Sequence, residues 1–142
     1  MPKQGPSNIL IVDDEFMCSH ALCLMLNNLG YQADSVTNGR KAIEMILNRQ
    51  TQLVQMSSNY KLVFMDCNMP IMNGYTACLK LKELIARGKI DDMKIIACTA
   101  DTSMHNLERC KESNFDQMLD KPIMKEVLKS LLERYKTTMT LR

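Results

Sequence analysis

Three apolar runs each stop at a residue able to do chemistry. Ile9-Leu10-Ile11-Val12 gives way to Asp13-Asp14-Glu15, residues 62–65 give way to Asp66, and residues 94–98 end at the hydroxyl of Thr99. Short apolar runs bounded by polar residues read as buried strands. Two shorter strands are predicted at residues 32–36, turned by Asn38-Gly39, and at residues 117–119, followed by Asp120-Lys121-Pro122. Between the strands the spacing changes to that of amphipathic helices. Over residues 15–29, Cys18, Ala21, Leu22, Met25, Leu26 and Leu29 share one face, and Gly30 ends the run. Phe16, Met17, Cys23 and Leu24 lie off that face, so this helix needs deep burial or a partner.

A second helix is expected from residue 40 to about 48, with Ala42, Ile43, Ile46 and Leu47 inward. A third covers residues 75–87, with Ala77, Cys78, Leu81, Leu84 and Ile85 apolar and Gly88 closing it. A fourth covers residues 102–112, capped by Thr102 or Ser103. A fifth covers residues 124–135. The polar stretch 49–61 lacks periodicity and reads as a long loop or a helix extension. Residues 1–8 are expected to be flexible and residues 137–142 to fray, which leaves one domain over residues 9–136. Five alternations of strand and helix predict an α/β protein, a doubly wound parallel sheet with helices on both faces. Right-handed crossovers then gather the carboxyl ends of the strands along one edge, where ligands bind in open sheets of this kind.

Composition narrows the picture. The chain has 142 residues and a formal charge of +2, too small to argue for nucleic acid or an anionic membrane. No apolar run reaches the length of a membrane span, and the polar start lacks the apolar core of a signal peptide. A cytoplasmic domain, or the cytosolic part of a membrane-bound protein, is expected. The six cysteines form no C-x-x-C pair, and His20 and His105 fall at no zinc spacing. They read as small buried hydrophobes kept reduced, and the 13 methionines mostly as core filler. Asp91 and Asp92 read as solvated turn acids.

The predicted edge collects Asp13, Asp14, Asp66, Thr99 and Lys121. Three carboxylates in one pocket repel one another, so a cation must accompany them when all are ionised. Oxygen ligands without histidine or cysteine favour Mg²⁺ or Mn²⁺. Lys121 and Thr99 add a charge and a hydroxyl donor for phosphoryl oxygens, and an aspartate can accept a phosphoryl group covalently. Taken singly, Asp13 and Asp14 could be helix-capping acids, Thr99 a turn hydroxyl and Lys121 the partner of Asp66 in an inert salt bridge.

Taken in order, these residues resemble the receiver domain of two-component response regulators. The likeness rests on Asp13-Asp14, on Asp66 within Asp66-Cys67-Asn68-Met69-Pro70-Ile71-Met72-Asn73-Gly74, on Thr99-Ala100 and on Lys121-Pro122. It spans residues 9–135, and the wording of the Asp66 loop is closest to receivers of hybrid histidine kinases. The resemblance implies a flavodoxin-like strand order 2-1-3-4-5 with five helices. It implies Asp66 as phosphoacceptor, with Thr99 and Lys121 contacting the phosphoryl group. Asp14, Asp66 and the backbone carbonyl of Asn68 would hold Mg²⁺, and Asp13 would reach it mainly through water. Lys121-Pro122 would be a cis peptide. The implied partner is a histidine kinase or a histidine phosphotransfer protein, with Phe16, Met17, His20 and Leu24 as its docking face, on a monomer that contacts neither nucleic acid nor membrane.

Two positions depart from the family pattern. Met118 stands where receivers usually carry Tyr or Phe, the ring that moves with the threonine as the second half of the switch. The segment 49–61 is longer than usual. Two other functions compete. An aspartate-nucleophile, Mg²⁺-dependent phosphatase usually carries a second acid two residues after the nucleophile, and Asn68 stands there. A flavin binder needs a phosphate-cradling loop after the first strand, where this chain has Asp13-Asp14-Glu15. No DNA-binding segment or catalytic output domain is predicted after Tyr135, so the chain reads as a free-standing regulator or a piece of a hybrid kinase.

Overall fold

The computed structural model describes residues 7–52 and 59–140. The elements run β1 (Ile9–Val12), α1 (Phe16–Asn28), β2 (Ala33–Val36), α2 (Gly39–Thr51), β3 (Leu62–Asp66), α3 (Gly74–Ala86), β4 (Lys94–Thr99), α4 (Met104–Glu112), β5 (Gln117–Asp120), α5 (Lys125–Arg134) and α6 (Lys136–Thr140). The five strands form one parallel sheet in the order β2-β1-β3-β4-β5. This is the expected α/β architecture with one more helix than expected.

Strand alternation sorts the core. Ile9 and Ile11 of β1 point to one face and pack with Leu22 and Leu26 of α1 and Leu128, Leu131 and Leu132 of α5. Leu10 and Val12 point to the other, against Ala42 and Ile46 of α2 and Ala77, Cys78 and Leu81 of α3. Successive side chains on a strand face opposite ways, so a run that is apolar at every position can serve a sheet covered on both sides. A third cluster, Cys67, Tyr75, Ala97 and Cys110, lies under α4, with Phe115 and Met118 packed against it.

Helix boundaries follow their caps. Asn38, Asn73 and Ser103 accept hydrogen bonds from the backbone N–H groups of Lys41, Thr76 and Asn106. Each satisfies a donor that the first helical turn leaves unpaired. Helix α2 runs to Thr51, beyond the expected end near residue 48. Its exit is held by buried Asn59, whose amide donates to the Ile46 carbonyl at 2.9 Å and to Gln50 Oε1 at 2.8 Å. The rest of the polar stretch, residues 53–58, lies outside the described residues. Leu47, expected inward, is 38% exposed. Asp91 is exposed, as expected of a turn acid, but it also accepts from Gln50 Nε2 at 3.0 Å and ties that loop to α2.

The tail expected to fray from residue 137 is instead helical over residues 137–140, as part of α6 (Lys136–Thr140). Met139 follows Tyr135 at i+4 and extends the apolar stripe of α5 into the same core cluster. Asn8 Nδ2 donates to the Met139 carbonyl at 3.2 Å, which pins the tail against the start of the sheet. Residues 1–6, 141 and 142, also covered by the expectation of flexible ends, lie outside the described residues.

Gly74 shows how closely the site-bearing loop is packed. A Cβ there would press on the Asp66 carbonyl oxygen and lie 3.0 Å from Cys67 Cα, both backbone atoms. Gly88, at φ +70°, has open space around it. Overpacking a rigid backbone contact costs about 1–3 kcal/mol or more, and an alanine at positive φ costs about 1 kcal/mol. Gly74→Ala should therefore lower the thermal midpoint more than Gly88→Ala, as measured by circular dichroism. Equal losses would mean that the loop has room to relax.

Candidate functional site

The site follows from strand register. Val12 of β1 lies beside Met65 of β3, Asp66 beside Cys98 of β4, and Thr99 beside Asp120 of β5. One residue past these pairs, the chain leaves the sheet at Asp13 and Lys121. The carboxylate-bearing ends of β1 and β3 are thus adjacent, and the β5 exit reaches back toward them.

Carboxylate oxygens of Asp13, Asp14 and Asp66 all lie within 4.8 Å of one another. Asp13 and Asp66 are buried, while Asp14 is exposed. Lys121 Nζ sits between the buried pair, 2.9 Å from Asp13 Oδ2 and 3.4 Å from Asp66 Oδ1. The Lys121–Pro122 peptide is cis. Asp13 Oδ1 also accepts from the Glu15 backbone N–H at 2.9 Å, and Asp66 Oδ1 from the Asn68 N–H at 3.3 Å.

Electrostatics and burial pull against each other here. Burial pushes the Asp66 carboxyl above its ordinary range; Lys121 opposes the shift and the negative charge of Asp13 adds to it. Burial alone would lower the Lys121 pKa, but its hydrogen bond to Asp13 and the charges of Asp66 and Asp13 outweigh burial and raise it. Lys121 is therefore a fixed cation. The donor set suits a hard divalent ion: three clustered carboxylates and no nitrogen or sulfur ligand among them.

Thr99 is 1% exposed at the end of β4. Its Oγ1 accepts from the Asp101 backbone N–H at 3.0 Å and from Asn106 Nδ2 at 3.3 Å. Met118 is half-buried against the cluster that contains Tyr75 and Cys67. All six cysteines are free, four of them buried; burial pushes the Cys67 and Cys78 thiols up to about 12. Phe16 and Met17 are 72% and 75% exposed, and Leu24 is 50% exposed. The Phe16 ring stacks on His20 at 5.3 Å between centroids. A cavity of about 230 Å³ opens beside this helix, lined by Met17, Ala21, Met25 and Ile123, with Asp66 and Lys121 at its polar end.

Residues 9–133 match the model of the response regulator receiver domain. The chain belongs to this family. It is a receiver domain of the kind found in two-component and hybrid kinase systems. It is 30% identical over 136 residues to two-component response regulator 24 of Arabidopsis thaliana, covering 94% of this chain and 88% of that protein. It is 28% identical over 137 residues to hybrid signal transduction histidine kinase L of Dictyostelium discoideum, covering 94% of this chain but only 8% of that kinase. The receiver domain of a Pseudomonas aeruginosa PAO1 sensor histidine kinase superimposes with a TM-score of 0.73 at 26% identity, over 92% of this chain and 98% of that one; it holds a magnesium ion in its active-site cleft. Among the described residues no helix of this receiver is long and apolar enough to cross a membrane.

The sequence reading missed two side chains beside the site, Asn106 and Tyr75. Both are buried and polar, and they are hydrogen-bonded to each other. The available signal was an amide at an inward position of the fourth helix, one turn before Cys110.

Removing Lys121 leaves two neighbouring carboxylates uncompensated. Lys121→Met should destabilise the receiver by about 1–3 kcal/mol without divalent ions, less than for a fully buried pair because the group retains some solvent contact. Urea denaturation with and without Mg²⁺ checks this, and the deficit should shrink when the ion is present. A deficit that Mg²⁺ leaves unchanged would argue that packing, not charge, is what Lys121 provides.

Proposed function

We propose that this receiver accepts a phosphoryl group on Asp66 from a phosphohistidine. The supporting observation is the convergence of Asp13, Asp14 and Asp66 within 4.8 Å beside Lys121. In the transfer, a carboxylate oxygen of Asp66 forms a bond to phosphorus as the donor's N–P bond breaks, and the imidazole leaves as a neutral ring once protonated. Phosphoryl transfer requires positioning and charge stabilisation more than covalent help from the protein. Asp13, Asp14, Asp66 and the Asn68 carbonyl would hold Mg²⁺, which supplies charge neutralisation for an anionic donor. Lys121 is released from Asp66 as that carboxylate becomes an acyl phosphate and is then free to pair with phosphoryl oxygens. The Thr99 hydroxyl donates to another. The domain promotes formation and slow hydrolysis of its own acyl phosphate and turns over no separate substrate.

The donor is a histidine kinase or a histidine phosphotransfer protein. Its docking surface is the exposed side of α1, with Phe16, Met17, His20 and Leu24. Of these, Met17 lines the cavity that also reaches Asp66, so a partner covering this face would bring its phosphohistidine to the acceptor and exclude water. Clustered exposed apolar residues are the usual mark of such a surface. The chain spans under a tenth of the length of the hybrid kinases it matches first, so any sensing or kinase activity would belong to a longer protein.

Intact mass after incubation with Mg²⁺ and a small acyl phosphate should show one added phosphoryl group in the parent and none in Asp66→Asn. Equal labelling of both would refute Asp66 as the acceptor. Transfer from a phosphotransfer protein should slow by roughly tenfold or more in Phe16→Ser or Leu24→Ser, a loss typical of interface anchors. Labelling by the small donor should stay at the parent's rate. Unchanged transfer rates would remove α1 as the docking face.

A further inference from the structure

A buried polar chain connects the end of β4 to two helices. Thr99 Oγ1 accepts from Asn106 Nδ2 at 3.3 Å, and the same amide nitrogen donates to the Asp101 carbonyl at 2.7 Å. Asn106 Oδ1 accepts from the Tyr75 hydroxyl. Asn106 lies on α4, and Tyr75 lies in the first turn of α3, directly after Gly74, whose N–H donates to the Cys67 carbonyl at 3.0 Å. The path therefore runs from Thr99 through α4 to the start of α3 and back to the loop beside Asp66. Asn106 and Tyr75 are 3% and 4% exposed. The Arg109 guanidinium lies 3.9 Å above the Tyr75 ring, and Phe115 meets its edge. The ring is held on several sides, so its hydroxyl gives Asn106 a fixed bearing.

We infer that Asn106, braced by Tyr75, is the residue that passes the state of Thr99 to α4 and α3. The inference rests on the reading of Asp66 as phosphoacceptor. A threonine oxygen has two acceptor positions and one proton. In the resting receiver both acceptor positions are filled, by Asp101 and Asn106, so Thr99 presents only its proton. A phosphoryl oxygen on Asp66 is the matching acceptor. As Thr99 turns toward it, the Asp101 bond is local and follows the chain, being two residues away. The longer bond, to Asn106, is the one that breaks. Asn106 then loses its tie to the sheet and keeps its bonds to Asp101 and Tyr75, which shifts α4 relative to β4. Met118 on β5 carries no hydroxyl and no ring, so this polar route through α3 and α4 does not depend on the β5 position that usually swings in the family.

The test compares amide hydrogen exchange over residues 102–113 in unphosphorylated and Mg²⁺/acyl phosphate-treated protein, with intact mass read on the same samples. In the parent, phosphorylation should change exchange of α4 by at least about fivefold, the lower end of ordinary coupling between sites. Asn106→Ala should take up one phosphoryl group like the parent and lose that difference, its α4 exchanging alike in both states. Tyr75→Phe keeps the ring under Arg109 and should reduce the difference; it also serves if Asn106→Ala does not fold. A purely structural role would speed exchange of α4 in both states and leave the phosphorylation-dependent difference intact, and that result in either variant overturns the inference. A parent whose mass does not rise overturns the Asp66 reading, and the inference with it.

Discussion

The structure depends on holding like charges together at a sheet edge. Adjacent parallel strands β1 and β3 carry Asp13 and Asp66 to the same height, and neither carboxylate can retreat into solvent without leaving its strand end. The apolar faces of those strands hold this arrangement, because moving either acid would disturb Val12 or Met65 in the same register. Lys121 offsets part of the repulsion, and a divalent ion among the three acids would offset more. Burial that disfavours the Asp66 charge is set against the neighbouring Lys121 ammonium, which favours it.

The two flanks of this edge differ in chemistry. On the α1 side the surface is apolar, with Phe16 and Met17 largely exposed beside a cavity that reaches Asp66. Apolar surface suits a partner that must exclude water from the transfer. On the α4 side the groups are buried and polar, and Thr99, Asn106 and Tyr75 leave little freedom for one to move without the next. In the proposed function, the first side admits the donor and the second registers what the donor leaves behind. Gly74 joins the two, since only a residue without a side chain lets α3 start so close to the Asp66 backbone.

Much of this was legible in the chain because strand ends are marked by abrupt changes of polarity. Ile9–Val12 stops at acids, and β4 matches its sequence limits from Lys94 to Thr99. Charged groups that burial would penalise flag themselves when they follow an apolar run. Other features left no such mark. The tail looked polar, yet one methionine at helical spacing, Met139, was enough to seat α6 on the core. Leu47 looked inward by spacing but sits at the rim of α2's buried stripe. Asn106 left only a weak mark, an amide at an inward helix position; its importance comes from Tyr75, distant in sequence, arriving at its other side. Pairings of that kind depend on how helices pack, which periodicity along one segment does not encode.

In the proposed function the three acids act as one divalent-ion site, and Lys121 is a separate counter-charge beside it. Titration calorimetry with Mg²⁺ tests it most directly. One bound ion per chain is predicted for the parent, with affinity falling at least about tenfold when Asp13 or Asp66 is replaced by asparagine, as for loss of a ligand or its supporting group. Binding that survives both replacements unchanged, or a parent that binds no Mg²⁺, would contradict the account.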